Sequence, residues 1–486
     1  MPKKYHLNPK PAASRFVPPG PFGIIEGDGC LNCPNCVKKN CAYLVYEKRI
    51  YDDRQMIDTA DFLCKNCFRC VQECYGRILS KSSNPEYWSM GDEYWTPEII
   101  FTNQRQAESG KIPVSGGGYG GPFAGPGFDS MWTDMSEIVR PTRDGIHGRE
   151  YISTSVELGR VLPPSALRLR AGPAEKGKVS PPARVEISIP FIFDILPFRD
   201  DIPSIHLALA RAAVETNTFM IFPAENFSEE LGSFAAHLIP LLPPGSPERF
   251  RSILRRSRMV QIPYGPDASM KVEQIKRVHP GMIVSLRVPL TPRAEFQIGD
   301  LEHSGAEVIH FLADSKGREQ ETPSPRFIKD AIRKVHLHLV KLGRRDGISL
   351  IFGGGIALAE HVAKAVICGA DAVSIDRPLL MALECRLCVD CHKEKPCPVG
   401  VERIDPGWGW QRVVNLAAAW HAQILEVLGA MGLRDIRRLR GEVGRAIFME
   451  EVEKETFGQI FGGREKSRRP EPETDSKGEE THELAT

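Results

Sequence analysis

From Arg184 onward, short apolar runs alternate with longer stretches in which apolar residues recur every three or four positions. Val185 to Ile195, Thr218 to Phe222, Met282 to Val288, Val308 to Leu312, Ile348 to Phe352 and Ala372 to Ile375 read as buried strands. Ser204 to Val214, Arg326 to Leu342 and Leu358 to Cys368 carry the helical period. Strands alternating with helices build a parallel sheet, either closed as a barrel or open and doubly wound. About 200 residues is short for a full eightfold barrel. The expectation over 181–400 is therefore an α/β domain of (β/α)8 type with some units reduced.

The flanks have other textures. Residues 1–26 are rich in Pro, Lys and Gly and predict an extended arm. Residues 83–180 form a connector in which the stretch Trp88 to Gly127 is dense in turn residues and ends in Gly116-Gly117-Gly118-Tyr119-Gly120-Gly121-Pro122. That run has neither the lysine nor the following helix of a nucleotide loop, so a plain turn is expected. In 401–462, Gln411 to Gly429 and Leu433 to Glu453 read as two amphipathic helices broken near Gly432, suited to packing on the barrel or on a second subunit. The tail 463–486 is charged and nearly without large apolar residues, which predicts disorder.

Charge narrows the function. The 486 residues hold 63 Lys and Arg against 62 Asp and Glu, a net charge of +1. No global field attracts nucleic acid or an anionic membrane. The apolar stretches Val413 to Ala419 and Ile424 to Met431 are short and separated by Trp420, His421 and Gln423, so no membrane span is expected. A cytoplasmic, reducing location follows as an expectation from cysteine usage without a secretory signal. The basic run Arg249 to Arg258 reads as a solvated face, or as a surface that meets an acidic redox partner.

Twelve of the 13 cysteines fall into three runs: Cys30, Cys33, Cys36, Cys41; Cys64, Cys67, Cys70, Cys74; and Cys385, Cys388, Cys391, Cys397. Each opens with C-x2-C-x2-C, which brings three thiolates round one corner of an iron–sulfur cluster, with a fourth ligand following. Zinc prefers separated C-x2-C knuckles, which would leave a surplus cysteine in every run. Three [4Fe-4S] clusters are the expectation. Residues 27–82 match a two-cluster ferredoxin-like module, and in the bacterial ferredoxin pattern the fourth cysteine serves the other cluster. That pattern assigns Cys30, Cys33, Cys36 and Cys74 to one cluster and Cys64, Cys67, Cys70 and Cys41 to the second. The proline that often follows the fourth cysteine is replaced by Ala42 and Tyr75. Cys368, in an apolar helix, reads as an inert buried thiol.

Met135-Ser136-Glu137-Ile138-Val139-Arg140-Pro141-Thr142-Arg143-Asp144-Gly145-Ile146-His147-Gly148-Arg149-Glu150-Tyr151 resembles the lead-in segment of the glutamate synthase-like FMN-binding family. Leu350 to Ile356, Val362 to Ala372, Ala382 to Cys385 and Cys397-Pro398-Val399-Gly400 follow the same family's order of strand, glycine loop, helix, strand and cysteine segment. Asp405 to Gly444 is similar to its C-terminal helices. The resemblance implies FMN at the C-terminal ends of the barrel strands beside an iron–sulfur cluster, fed by the N-terminal module. Gly353, Gly354 and Gly355, between a predicted strand and a predicted helix, and Arg377 are then the expected phosphate contacts. A tight turn without ligand is the other reading of the glycines. His147 reads as structural beside Arg143 and Arg149.

Three segments depart from the family. Its K-x-G-Q-G-A-K-P-G appears as Gln261 to Lys271, its D-G-x-x-G-G-T-G-A-x-P as Asp314 to Pro325, and its G-F-G-T as Ser374-Ile375-Asp376-Arg377. The third cysteine run has gained Cys388 over the family's three-cysteine pattern, which predicts a four-iron cluster. No amidotransferase segment is evident, so ammonia is expected from elsewhere. Three functions follow. The first is an electron-transfer oxidoreductase subunit of a larger complex, exchanging electrons with redox partner proteins. The second is a ferredoxin-dependent glutamate synthase, with Arg287, Lys271 and Arg318 to hold two carboxylates. The third is a flavin-free scaffold that docks clusters onto a larger complex.

Overall fold

The computed structural model describes residues 5–27, 30–31, 33–36, 41–48, 56–112, 125, 127–133, 152–159, 183–198, 201–245, 247–388, 391, 395–456 and 458–461. The glycine run 116–121, the segment 135–151 with His147, and the tail 463–486 lie outside them.

Eight parallel strands close into a barrel. They are β1 (Phe191–Phe193), β2 (Met220–Pro223), β3 (Leu238–Leu241), β4 (Met259–Pro263), β5 (Ile283–Pro289), β6 (Val308–Leu312), β7 (Ser349–Gly353) and β8 (Ala372–Ile375). Ring closure pairs Ser374 of β8 with Ile192 of β1. The strand count is complete, and economy falls on the helices. Only 3-10 turns, Ala224–Asn226 and Glu229–His237, link β2 to β3, and a four-residue helix, Arg251–Leu254, precedes β4. Full helices follow β4, β5, β6 and β7: Ala268–Val278, Ala294–His303, Ile328–Lys341 and Ala359–Cys368.

Three readings of the sequence change. The run Val185 to Ile195 is two strands: Arg184–Ile187 pairs antiparallel with Val156–Gly159 outside the barrel, and β1 begins only after Pro190. Proline has no N–H to give a ladder, so the break falls there. The connector contains a helix, Pro97–Ser109, with Thr96 accepting the Ile99 N–H, proline at its start and Gly110 ending it at φ 68°. Leu433 to Glu453 is not one helix. Gly441 (φ 77°) and Gly444 interrupt it, and Ala446–Phe448 pairs with Met131–Thr133 before a last helix begins at Met449.

The helix Pro406–Ala430 is long and apolar enough to cross a membrane, and two thirds of its most apolar window is buried inside the protein. It packs on Pro203–Glu215 and Pro97–Ser109. Its buried Arg412 ties four segments together, donating to the carbonyls of Ala382 (2.6 Å), Ala12 (2.9 Å) and Gln104 (3.1 Å). The N-terminal arm is therefore extended but docked. Arg15 adds a salt bridge to Glu384 and a hydrogen bond to the Val399 carbonyl, both next to the third cysteine run.

The N-terminal module has two antiparallel pairings, Phe22–Glu26 with Leu79–Ser83 and Tyr46–Lys48 with Met56–Thr59, so the end of the segment expected as an arm is a strand of the module. Its core consists of Val45, Tyr46, Cys64, Cys70 and Leu79. So small an apolar core among the described residues offsets little of the chain entropy of the segment.

Candidate functional site

One cavity in the module is lined by Cys30, Cys33, Cys36 and Cys74, the set expected for one cluster, and also by Cys70, expected in the other. Cys41 and Cys64 join the module's apolar group, where Cys41 Sγ accepts the Val45 N–H (3.4 Å) and Cys64 Sγ accepts from Lys81 Nζ (3.2 Å). Cys67 is exposed. In the third run, burial pushes the Cys385 thiol up to about 12; the neighbouring Cys397, Cys388 and Cys391 add to the rise, while the Leu387 N–H on its sulfur opposes it. Cys368, fully buried against Met131, is pushed by burial to about 12 and is inert.

A strap over the C-terminal ends of β6 to β8 links this third run to the barrel mouth. The Gly91 N–H donates to the Arg386 carbonyl, and Arg386 pairs with Glu86. A few residues on, the Tyr94 hydroxyl donates to the Gly355 carbonyl, Trp95 Nε1 to the Ser315 carbonyl (2.9 Å), and Lys316 pairs with Glu93 (2.9 Å). The strap thus spans the cysteine segment, the loop after β6 and the glycine turn after β7.

The glycine turn is side-chain-free of necessity. A Cβ on Gly353 would lie 2.2 Å from Ser374 Oγ, and one on Gly355 (φ 70°) 2.5 Å from the backbone of Gly317. Gly353 pairs in register with Ser374 on β8, which brings Arg377 to the same end of the barrel. Arg377 is bound to Asp376, which accepts its N–H (2.6 Å) and its guanidinium (3.1 Å), and lies 5.6 Å from the Trp95 ring. The turn and Arg377 therefore share one rim, with an acidic residue between them.

Below that rim, side chains from five strand regions form a closed ring. Ser374 donates to Asp194 Oδ2 (2.8 Å), so its oxygen accepts from His310 Nε2 (2.8 Å). His310 Nδ1 must then accept from Gln261 Nε2 (3.0 Å), whose Oε1 accepts from Arg287 (3.0 Å). Arg287 also donates to Asp194 Oδ1 (2.8 Å), closing the ring. Every donor has one acceptor only if His310 is neutral with its proton on Nε2. Burial supplies that state, lowering its pKa to about 4 against the pull of Asp194. Burial alone would raise the Asp194 carboxyl, but the Arg287 guanidinium, with hydrogen bonds from Arg287 and Ser374, holds it below the usual range. Arg287, 19% exposed, is the one member reaching toward solvent.

The other cations of the expected carboxylate site lie apart from this ring. Lys271 is bound to Asp267 (2.7 Å) on the helix after β4, and Arg318 is exposed on the loop after β6. Asp129, Glu360 and His361 bring three ligand-type atoms together, but Lys364, bonded to Glu360 and the Phe128 carbonyl, already supplies the cation there. The ring was not read from the sequence. Its signal was present in Ser285 and Arg287, two apart on a buried strand, and in His310 amid Val308 to Leu312.

The fold and site define a (β/α)8-barrel protein with one of its three cysteine runs joined to its mouth. A family profile described as the conserved region in glutamate synthase matches residues 320–434. The archaeal-type glutamate synthase [NADPH] of Dehalococcoides mccartyi is 27% identical, over 85% of this chain and 92% of its own. The corresponding protein of Thermotoga sp. is 24% identical over 92% and 98%, and the archaeal glutamate synthase [NADPH] of Archaeoglobus fulgidus 25% over 89% and 95%. These similarities support a glutamate synthase-like family for the chain.

Proposed function

We propose that the protein is an iron–sulfur oxidoreductase of the glutamate synthase-like family that passes electrons between three [4Fe-4S] clusters and an FMN at the barrel mouth, as a subunit of a larger redox complex. The observation that supports this best is the Gly91–Thr96 strap, which joins the third cysteine run to the glycine turn and gives clusters and mouth one shared wall.

The donor sets fit the groups. Each cysteine set offers four soft thiols, and in the third set Cys385 is buried while Cys388, Cys391 and Cys397 are half-buried. For a flavin phosphate, Gly353 to Gly355 offer main-chain N–H groups at a turn bare of side chains, and Arg377 offers a guanidinium on the adjoining strand end. Asp376 competes for that guanidinium, so release from it accompanies phosphate binding. When bound, the flavin supplies the exchange between one-electron and two-electron chemistry.

The chain's own residues do the rest. Trp95 and Tyr94 cover the rim and exclude water from it. The ring holds one fixed positive charge, Arg287, toward the mouth, where it can orient a carboxylate, while neutral His310 keeps the interior free of a second cation. That single arginine favours, as a second reading, 2-oxoglutarate imine reduction of the kind the relatives' names indicate.

Rapid mixing of the anaerobic protein with reduced ferredoxin tests both. Cluster bleaching followed by flavin reduction is expected, with Arg377→Ala weakening FMN retention by about tenfold, the usual weight of a charge-assisted contact. Glutamate formed from 2-oxoglutarate and ammonia in the same mixture establishes the second reading. Clusters that reduce with no flavin signal leave only an electron wire.

A further inference from the structure

A cavity of about 370 Å3 lies on the far rim of the barrel, where Leu254 precedes β4 and the helix Ala268–Val278 runs down toward β5. The C-terminal end of that helix and His279 lie beside the strand starts, opposite the mouth. The volume is in the range of small-molecule sites, about 300–1,000 Å3. One wall is apolar, from Leu254, Ile275 and Val278.

The other wall is cationic. Arg251 and Arg277 line it, and Arg255 lies near enough to His279 to act, with burial and Arg251, in lowering the imidazole pKa. Arg277 is paired with Glu273 (2.7 Å) and Glu248 is the one acid in the lining, but Arg251 and Arg255 have no acidic partner among the described residues. His279 Nε2 is shielded from solvent and has no hydrogen-bond partner among the described residues. A shielded polar atom without a partner is uncommon and calls for a group to satisfy it. The basic run Arg249 to Arg258 thus places exposed positive charge at the edge of a ligand-sized space.

We propose that this cavity binds a small organic anion, with a carboxylate or phosphate head on Arg251 and His279 and a flat or aliphatic body against Leu254, Ile275 and Val278. The site is separate from the barrel mouth, so it acts on stability or regulation. Titration calorimetry of the anaerobically purified full chain at low salt tests it with three probes: inorganic phosphate, AMP and benzoate. AMP or benzoate should bind at least about tenfold tighter than phosphate, because only they fill the apolar wall. AMP ahead of benzoate marks a phosphate head; the reverse marks a carboxylate. Arg251→Ala and Val278→Asp, both at exposed positions, should each weaken binding by about tenfold or more with an unchanged circular dichroism spectrum. Absence of saturable binding by all three probes overturns the proposal, and so does equal affinity in both variants.

Discussion

Arg412→Met tests how the third cysteine run is held in place. The guanidinium is fully buried and donates to the carbonyls of Ala382, Ala12 and Gln104, with Glu384 3.8 Å away and the Trp408 ring at 5.0 Å. Methionine fills much of the same volume but strands three buried acceptors, each worth roughly 1–3 kcal/mol. Partial relaxation makes these costs less than additive, so about 4 kcal/mol in all is expected. At about 2.1 cal/mol/K per residue, 486 residues give an unfolding entropy near 1 kcal/mol/K, so the melting midpoint should fall by about 4 °C. The loss should be local first: hydrogen exchange at residues 10–16 should speed up before the barrel strands respond. Scanning calorimetry and exchange mass spectrometry of the anaerobic protein read both effects. An unchanged midpoint with unchanged exchange in the arm would refute the anchoring role.

Asp194→Asn removes the anion from the ring and leaves Arg287 unpaired; one-fifth exposure of the arginine discounts the usual cost to about 2 kcal/mol, and the double change with Arg287→Gln should recover part of it in denaturant titration. His310 and His361 are held neutral by burial, to about 4 and about 3. The unfolded chain takes up their protons near 6.5, so their contribution is complete above that pH and is lost as pH falls toward the folded values, by about 1.4 kcal/mol per unit for each. A melting midpoint that stays flat from pH 6.5 to 5 would contradict this. Cys385→Ser should remove about four irons per chain while leaving the low-temperature spectrum of the other two clusters; loss of all iron would mean that the sets are not independent.

Much of this was legible in the sequence because it depends on local pattern. The apolar period located six of the eight strands, and the strand, glycine and helix order located the turn at Gly353 to Gly355. β3 and β4 escaped because Pro240 and Gln261 interrupt them; in the structure Gln261 faces the interior as a member of the ring. The connector helix carried its Thr96-Pro97 start and Gly110 stop, but its buried side holds Asn103, Gln104 and Gln106, which disguise the apolar face. The Asp194, Gln261, Arg287, His310 and Ser374 ring could not be read, since its members are brought together only by barrel closure. The three cysteine runs were legible because their spacing is local; how the third run meets the mouth depends on a strap some three hundred residues earlier in the chain.

The central claim is an electron path from thiolate-bound clusters to a flavin. Protein purified without oxygen, with its iron and sulfide reconstituted, should contain about twelve irons and as many sulfides per chain, four to each cysteine set, and release one FMN on denaturation. Zinc without sulfide in the cysteine sets, or full clusters with no flavin when FMN is supplied, would contradict it.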